Sequence, residues 1–324
     1  MSMATTKVKS GRAAAGGRRG SVKVLGFMRS LADKFSACGR FGTAANYIRA
    51  TNSLSAYLGG KDIPFSKFNE ELVMSYDGWL HSRNVTRNTV SFYMRILRAV
   101  HRRAVRMNAA RPAELFREVY TGVDSTRKRA VDETVLLRLQ RLDLARSRTL
   151  SLARDIFVFS YFTRGMSFID IAYLRKSDVG QNVICYCRHK TGQCLNIFIE
   201  PCMRRIMGRY ATEVSDSPYV FPLIKSTDPP TAFRQYHTAL RYYNRKLKEL
   251  SEMVGTRVPL SSYVARHTWA TSARDHNIPI SVISAGMGHS SEKTTRIYLA
   301  SLENSVIDMA NKAILKKFDA DISL

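Results

Sequence analysis

Acidic residues are scarce in this 324-residue chain: 26 Asp and Glu stand against 51 Lys and Arg, a formal net charge of +25 at pH 7. Such an imbalance calls for an acidic partner, and nucleic acid fits it best, through phosphate neutralisation and counterion release. An anionic membrane surface is the other candidate, but no strongly amphipathic basic segment flanks an anchor. Long apolar runs are also missing, none approaching the ~18 residues a spanning helix needs. The opening MSMATTKVKSGRAAAGGRRG lacks the apolar segment of a secretory signal, so a soluble, intracellular protein is expected. Cysteines number only five, which excludes a disulfide framework. Four of them, Cys185, Cys187, Cys194 and Cys202, lie close together around His189. Their spacing includes C-x-C rather than C-x-x-C, and alternate residues of VICYC share one face of a strand. Buried free thiols are expected, with no metal and no cofactor. The 45% hydrophobic content supports ordinary packed cores, and the length suggests two domains.

Residues 1–21 form a basic arm expected to be disordered: Lys7, Lys9, Arg12, Arg18 and Arg19 stand there without an acid. It either lies along DNA or is a solvated tail. Residues 22–116 read as a helical domain, interrupted at Gly59-Gly60 and Pro64. Its clearest segment runs from Thr86 to Met107. There Val90, Tyr93, Met94, Leu97, Val100 and Ala104 make a core stripe. Arg87, Arg95, Arg98, Arg102, Arg103 and Arg106 populate the remaining surface and are the candidate DNA contacts. The amphipathic pattern weakens over residues 117–129, read as a linker. Residues 130–324 form a second domain, opening with DETVLLRLQRL behind an Asp132 N-cap and continuing in the apolar ARDIFVFSYFT. Residues 182–200 read as two strands joined by a Lys-Thr-Gly-Gln turn, and from Thr231 onward the pattern is helical. The class is mainly α with a small antiparallel β-sheet.

The last third carries the chemistry. YVARHTWAT (263–271), GMGHSS (286–291) and KTTRIYLAS (293–301) place Arg266, His289 and Tyr298 in order. Singly, each has a bland role: a helix cap, a satisfied turn, a packed ring. Together they answer one need. Breaking a phosphodiester without metal requires a nucleophile, donors for the phosphorane oxygens and an acid for the leaving alkoxide. A tyrosine hydroxyl gives a covalent ester that conserves the bond's free energy. Arginine offers a fixed fork matching phosphate oxygens, and histidine adds a tunable donor.

The run ARHTWAT…GMGHSS…TTRIY resembles the tyrosine recombinases, the phage-integrase family, and in particular its Bacteroides-type branch. The resemblance implies a SAM-like helical core-binding domain followed by a catalytic domain of the DNA breaking-rejoining fold. It implies Tyr298 as the nucleophile of a 3′-phosphotyrosyl link, Arg266 as the second catalytic arginine and His289 as a phosphate contact. Lys190, in RHKTGQ, matches the hairpin lysine that protonates the 5′-oxygen. Two positions depart from the pattern. Tyr263 stands where the family usually has histidine, and Ser167 stands where the first catalytic arginine belongs. Arg164, one helical turn upstream and so on the same helix face, is the substitute expected, with Asp170 orienting an arginine and Gly165 allowing close backbone approach to DNA.

The implied reaction is site-specific cleavage and rejoining of double-stranded DNA through a Holliday junction, for integration, excision or inversion. A two-domain clamp would close on DNA as a homotetramer at synapsed sites and as a monomer in solution, with an accessory DNA-bending protein as a further partner. The implied setting is the bacterial cytoplasm and nucleoid. Two other readings stay open: a type I topoisomerase of the tyrosine class, and a DNA-binding regulator with impaired catalysis. After Tyr298, SLENSVIDMANKAIL has the spacing of a terminal helix, docking on a neighbour or on its own domain.

Overall fold

The computed structural model describes residues 22–124, 130–289 and 291–299. The basic arm, residues 125–129 of the linker and the terminal helix expected after Tyr298 lie outside the described residues. The chain divides into two compact units after Asp124.

The first unit holds α1 (Val24–Ala37), α2 (Phe41–Tyr57), α3 (Glu70–Ser82) and α4 (Arg87–Arg106). Asp62, distant in sequence, caps the start of α1 by accepting from the Leu25 and Gly26 N–H groups at 2.8 and 2.9 Å. Asn69 caps α3 through the Leu72 N–H. On α4, Val90, Met94, Leu97, Val100 and Ala104 are buried, as the stripe requires, while Tyr93 is half-buried. Residues 117–124 correct the expected linker. Val119 is part of this unit's core, together with Leu115 and Phe116. Asn88 and the Asp124 backbone exchange two hydrogen bonds of 2.8 and 3.1 Å, and Ser91 donates to the Gly122 carbonyl. The weak amphipathic pattern there belongs to an irregular segment that buries Val119 in the core and leaves Val123 exposed.

The second unit begins with α5 (Glu133–Arg141), which Asp132 caps at the Thr134 N–H, and α6 (Arg148–Phe162). A one-turn α7 (Phe168–Ala172) leads to β1 (Val183–Cys187) and β2 (Cys194–Phe198). These strands pair antiparallel from Val183↔Phe198 to Cys187↔Cys194. The chain closes with α8 (Pro201–Gly208), α9 (Pro229–Met253), α10 (Val264–Asp275), α11 (Ile280–Gly286) and α12 (Glu292–Leu299). The class is as expected, mainly helical with one two-stranded sheet among the described residues. Helix α6 is the central rod: Ile156, Phe157 and Phe159 are fully buried, and Phe159 meets Phe221 edge-on at 4.9 Å. Across the core Phe168 stacks on Tyr243 at 4.5 Å, fixing α7 against α9. Asp155, buried in α6, is satisfied by Arg154, Arg209 and the Tyr210 hydroxyl. No helix among the described residues is long and apolar enough to cross a membrane.

The cysteines depart from expectation. Cys187 and Cys194 face each other across the hairpin and form a disulfide. Cys185 is exposed and Cys202 half-buried. The alternation was legible but its sense was not: Ile184 and Tyr186 take the inward face, leaving Cys185 and Cys187 on the outer one.

Candidate active site

Arg266 is the centre of the site. It sits one turn into α10, between the buried Ala265 and the buried stripe of that helix, and is itself 3% exposed. A guanidinium this deep needs its donors placed. Nη1 donates to the Gly165 carbonyl at 2.7 Å, and Nη2 donates to the Met287 carbonyl at 2.7 Å. Gly165 has φ +76°, and a Cβ there would stand 2.7 Å from Arg266 Cγ and 2.8 Å from its Cα. Close approach to DNA was expected of Gly165; the approach its missing side chain allows here is to Arg266.

His289 follows the turn Met287-Gly288 and meets Arg266 Nη2 through Nε2 at 3.0 Å. Its Nδ1 lies 2.8 Å from Thr295 Oγ1 on α12. A guanidinium only donates, so Nε2 accepts and Nδ1 carries the proton of a neutral ring. Burial, then the positive charges of Arg266, Arg188 and Lys190, push the imidazole down to about 4. Tyr298 lies in α12, one turn beyond Thr295.

The hairpin supplies a residue that sequence reasoning missed. Arg188 is 8% exposed, donates Nη1 to the Gly288 carbonyl, and keeps a buried Nε with no hydrogen-bond partner among the described residues. Gly288, at φ +63°, leaves room for it: a Cβ there would stand 3.0 Å from Arg188 Cδ. The signal was the two-residue period: Arg188 continues the inward face of Ile184 and Tyr186. A charge on a buried strand face is a flag for function. Burial, then the charge of Asp170, raises the Tyr186 hydroxyl, while the positive charges of Arg266, Arg188 and Arg164 oppose that shift. Lys190 is exposed in the turn that follows Arg188.

Ser167 and Arg164 do not share a helix face, contrary to the three-residue argument. Helix α6 ends at Phe162, and Arg164 turns at φ +59° before Gly165. Its side chain passes Gly286 and reaches toward the Asn196 carbonyl of β2, 3.4 Å away. Ser167 instead begins α7 and donates to Asp170 Oδ2 at 2.6 Å. Asp170, 4% exposed, accepts the His189 N–H on its other oxygen at 2.9 Å. It therefore fixes the base of the hairpin turn, where an orienting contact to an arginine was expected. Tyr263 precedes α10, is 49% exposed, and lies with its ring centroid 6.2 Å from that of His267.

On α4 of the first unit, the six arginines divide. Arg87 stacks over Tyr120 at 3.9 Å, Arg98 donates to Thr121 at 3.0 Å, and Arg103 covers Phe35 at 4.8 Å. Arg95, Arg102 and Arg106, spaced seven and four, form an exposed stripe. No cluster of three His, Cys, Asp or Glu side chains able to hold a metal occurs among the described residues. A cleft of about 620 Å³ lined by Leu152, Ile156, Leu223, Ala239 and Tyr242 contains none of the cluster.

Residues 23–114 match the phage integrase SAM-like domain, and residues 157–305 match the phage integrase family. Among solved structures, a lambda integrase dimer bound to a COC′ core site superposes with a TM-score of 0.63 at 13% identity, covering 86% of this chain and 95% of that one. A Tn1549 transposon integrase in complex with a circular intermediate DNA gives 0.62 at 14% identity, covering 90% of this chain and 100% of that one. The XerH site-specific recombinase, in a post-cleavage complex with a palindromic difH substrate, gives 0.61 at 12% identity, covering 89% and 84%. At these identities the likeness is one of fold. No curated protein sequence matches the chain.

Proposed function

This chain belongs to the phage integrase family of tyrosine recombinases, and from that premise we propose that it is a site-specific recombinase of duplex DNA acting through Tyr298. The observation that carries the reading is the pairing of buried Arg266 with half-buried His289, with Arg188 beside it and Thr295 tying the ring to the helix that holds Tyr298. The Tyr298 oxygen attacks phosphorus, the bond to the 5′-oxygen breaks, and a 3′-phosphotyrosyl ester forms. Arg266 and Arg188 hold the phosphorane oxygens. When Arg266 Nη2 turns to phosphate, His289 Nε2 is released to take the phenol proton. Lys190, exposed at the hairpin tip, gives its proton to the 5′-oxygen, and Arg164 contacts the phosphate from the rim. Tyr263 donates a hydrogen bond to the neighbouring backbone phosphate.

Rejoining is the reverse step with a 5′-hydroxyl from the partner strand. Two rounds pass through a Holliday junction in a homotetramer, giving integration, excision or inversion; the free protein is a monomer. The Arg95, Arg102 and Arg106 stripe holds the duplex, aided by Arg87, Arg98 and Arg103. The ARHTWAT…GMGHSS…TTRIY run supports the Bacteroides-type branch, and DNA as substrate supports a nucleoid location.

The test is covalent capture. Parent and Tyr298→Phe are mixed with nicked fragments of DNA flanking the gene, in EDTA, then denatured in SDS, and attached DNA is sequenced. An adduct seen only with the parent is expected. Unchanged binding with no adduct from the parent would refute the enzymatic reading in favour of a regulator. Relaxation of supercoiled DNA of any sequence, without joining of sites, would replace it with a topoisomerase.

A further inference from the structure

Helix α12 is short, Glu292–Leu299, and its anchorage to the rest of the unit bears directly on where Tyr298 stands. Thr295 is completely buried within it. A buried hydroxyl needs a hydrogen-bond partner, and here that partner is His289 Nδ1 at 2.8 Å. The ion pair on the helix, Arg296 to Glu292 at 3.5 Å, is internal to α12 and exposed. It holds nothing outside the helix.

The direction of the Thr295 bond follows from the far side of the ring. Arg266 Nη2 lies 3.0 Å from Nε2 and is a donor in every protonation state, so Nε2 accepts. The ring proton then sits on Nδ1 and is donated to Thr295 Oγ1. Arg266 is itself fixed by the Gly165 and Met287 carbonyls. A continuous chain therefore runs from the Gly165 turn through Arg266 and His289 to Thr295, one helical turn before Tyr298.

We propose that Thr295 is a positioning residue that holds His289 with its proton on Nδ1 and, through the same hydrogen bond, seats the nucleophile's helix against the phosphate-binding arginines. The proposal rests on the recombinase reading for its catalytic consequence, but not for its tautomer. Thr295 touches neither substrate nor reacting atoms; it acts through the ring and through the helix. Two functions meet in one hydroxyl. It leaves Nε2 as the basic nitrogen facing Arg266, and it ties α12, which also packs on α10 and α11, to that ring. A valine has the same shape but offers Nδ1–H no acceptor, so the ring is driven toward the other tautomer or out of its pocket. A serine keeps the acceptor.

The experiment compares parent, Thr295→Val and Thr295→Ser by two measurements. Long-range proton–nitrogen spectra of ¹⁵N-histidine-labelled protein without DNA, assigned with His289→Gln, read the tautomer. Covalent capture on the cleavable DNA found with the parent reads the rate. In the parent, His289 is expected neutral with the proton on Nδ1, and in Thr295→Val that tautomer is expected to lose its dominance. Cleavage by Thr295→Val falls roughly ten- to a hundred-fold with DNA affinity unchanged. Thr295→Ser stays within about threefold of the parent, since the hydrogen-bond acceptor is retained. A parent ring protonated on Nε2 would overturn the proposal even if no variant folds. So would parent-like cleavage by Thr295→Val, or equal impairment in Thr295→Ser. If the parent forms no adduct on any DNA, the recombinase reading fails, while the spectra still decide the tautomer.

Discussion

Gly165→Ala is the sharpest perturbation of the site, because it adds one methyl group and removes no functional atom. The glycine sits at φ +76°, where an L-residue costs about 1–2 kcal/mol. The larger effect is steric. The new Cβ would stand 2.7 Å from Arg266 Cγ and 2.8 Å from its Cα, the latter a backbone atom of α10 that cannot rotate away. Restoring an ordinary carbon–carbon separation of about 3.5–4 Å requires a shift near 1 Å between the turn and α10. That shift stretches the 2.7 Å bond from Arg266 Nη1 to the Gly165 carbonyl, leaving part of a buried guanidinium unsatisfied at about 1–3 kcal/mol. The combined loss of stability is about 2–5 kcal/mol. A displacement of this size in a phosphate donor lowers cleavage by about two orders of magnitude. Urea denaturation measures the first quantity, and covalent trapping on a nicked suicide substrate measures the second. DNA affinity, governed by exposed charges the methyl does not touch, stays at the parent level. A folded Gly165→Ala that cleaves at the parent rate would refute the close-approach argument and with it the placement of Arg266.

Three further outcomes are expected. Arg188→Ala slows cleavage by about two to three orders of magnitude and Arg188→Lys recovers only part of it, since lysine lacks the fork; Arg164→Ala, measured beside it in single-turnover assays, costs less because its side chain is only half-buried. His289, held down to about 4 by burial and the neighbouring cations, is neutral in the folded protein through the physiological range. Because the unfolded ring, near 6.5, binds protons that the folded ring does not, its contribution to stability is complete above about pH 6.5. That contribution is lost as pH falls toward 4. Denaturation midpoints measured from pH 4 to 8, in parent and His289→Gln, read that slope, which the variant should lack. Thiol titration of the unfolded protein counts three free cysteines before reduction and five after, and reduction removes about 2 kcal/mol of stability for a loop of separation 7.

The fold was largely legible because its signals are local. Asp132 announced α5, the alternation of VICYC announced β1, and the stripe from Val90 to Ala104 announced α4. The order of Arg266, His289 and Tyr298 was legible as a motif. What escaped depends on which way an element turns. Alternation says that Cys185 and Cys187 share a face, not that Ile184, Tyr186 and Arg188 take the inward one. The reach of Arg188 to Gly288 spans a hundred residues of sequence, and no local pattern carries that contact. Arg164 was misjudged by assuming that α6 continues, when the paired positive φ angles of Arg164 and Gly165 break it. Thr295 looked like any helix threonine until its burial was known.

The acceptors that orient the two deep guanidiniums are peptide carbonyls: Gly165 and Met287 for Arg266, and Gly288 for Arg188. A carboxylate would aim an arginine equally well, but it would also cancel its charge at the place where the proposed reaction brings a phosphate. A carbonyl is a dipole without net charge, so it fixes direction and leaves the monopole intact. The nearest buried acid, Asp170, has both oxygens occupied by Ser167 and the His189 N–H. Asp170 keeps its charge but spends neither oxygen on these guanidiniums, so the hollow around Arg266 and Arg188 stays positive and is largely built before any polyanion enters it. On the proposed reaction, much of the reorganisation of dipoles that such chemistry costs in water is met by folding.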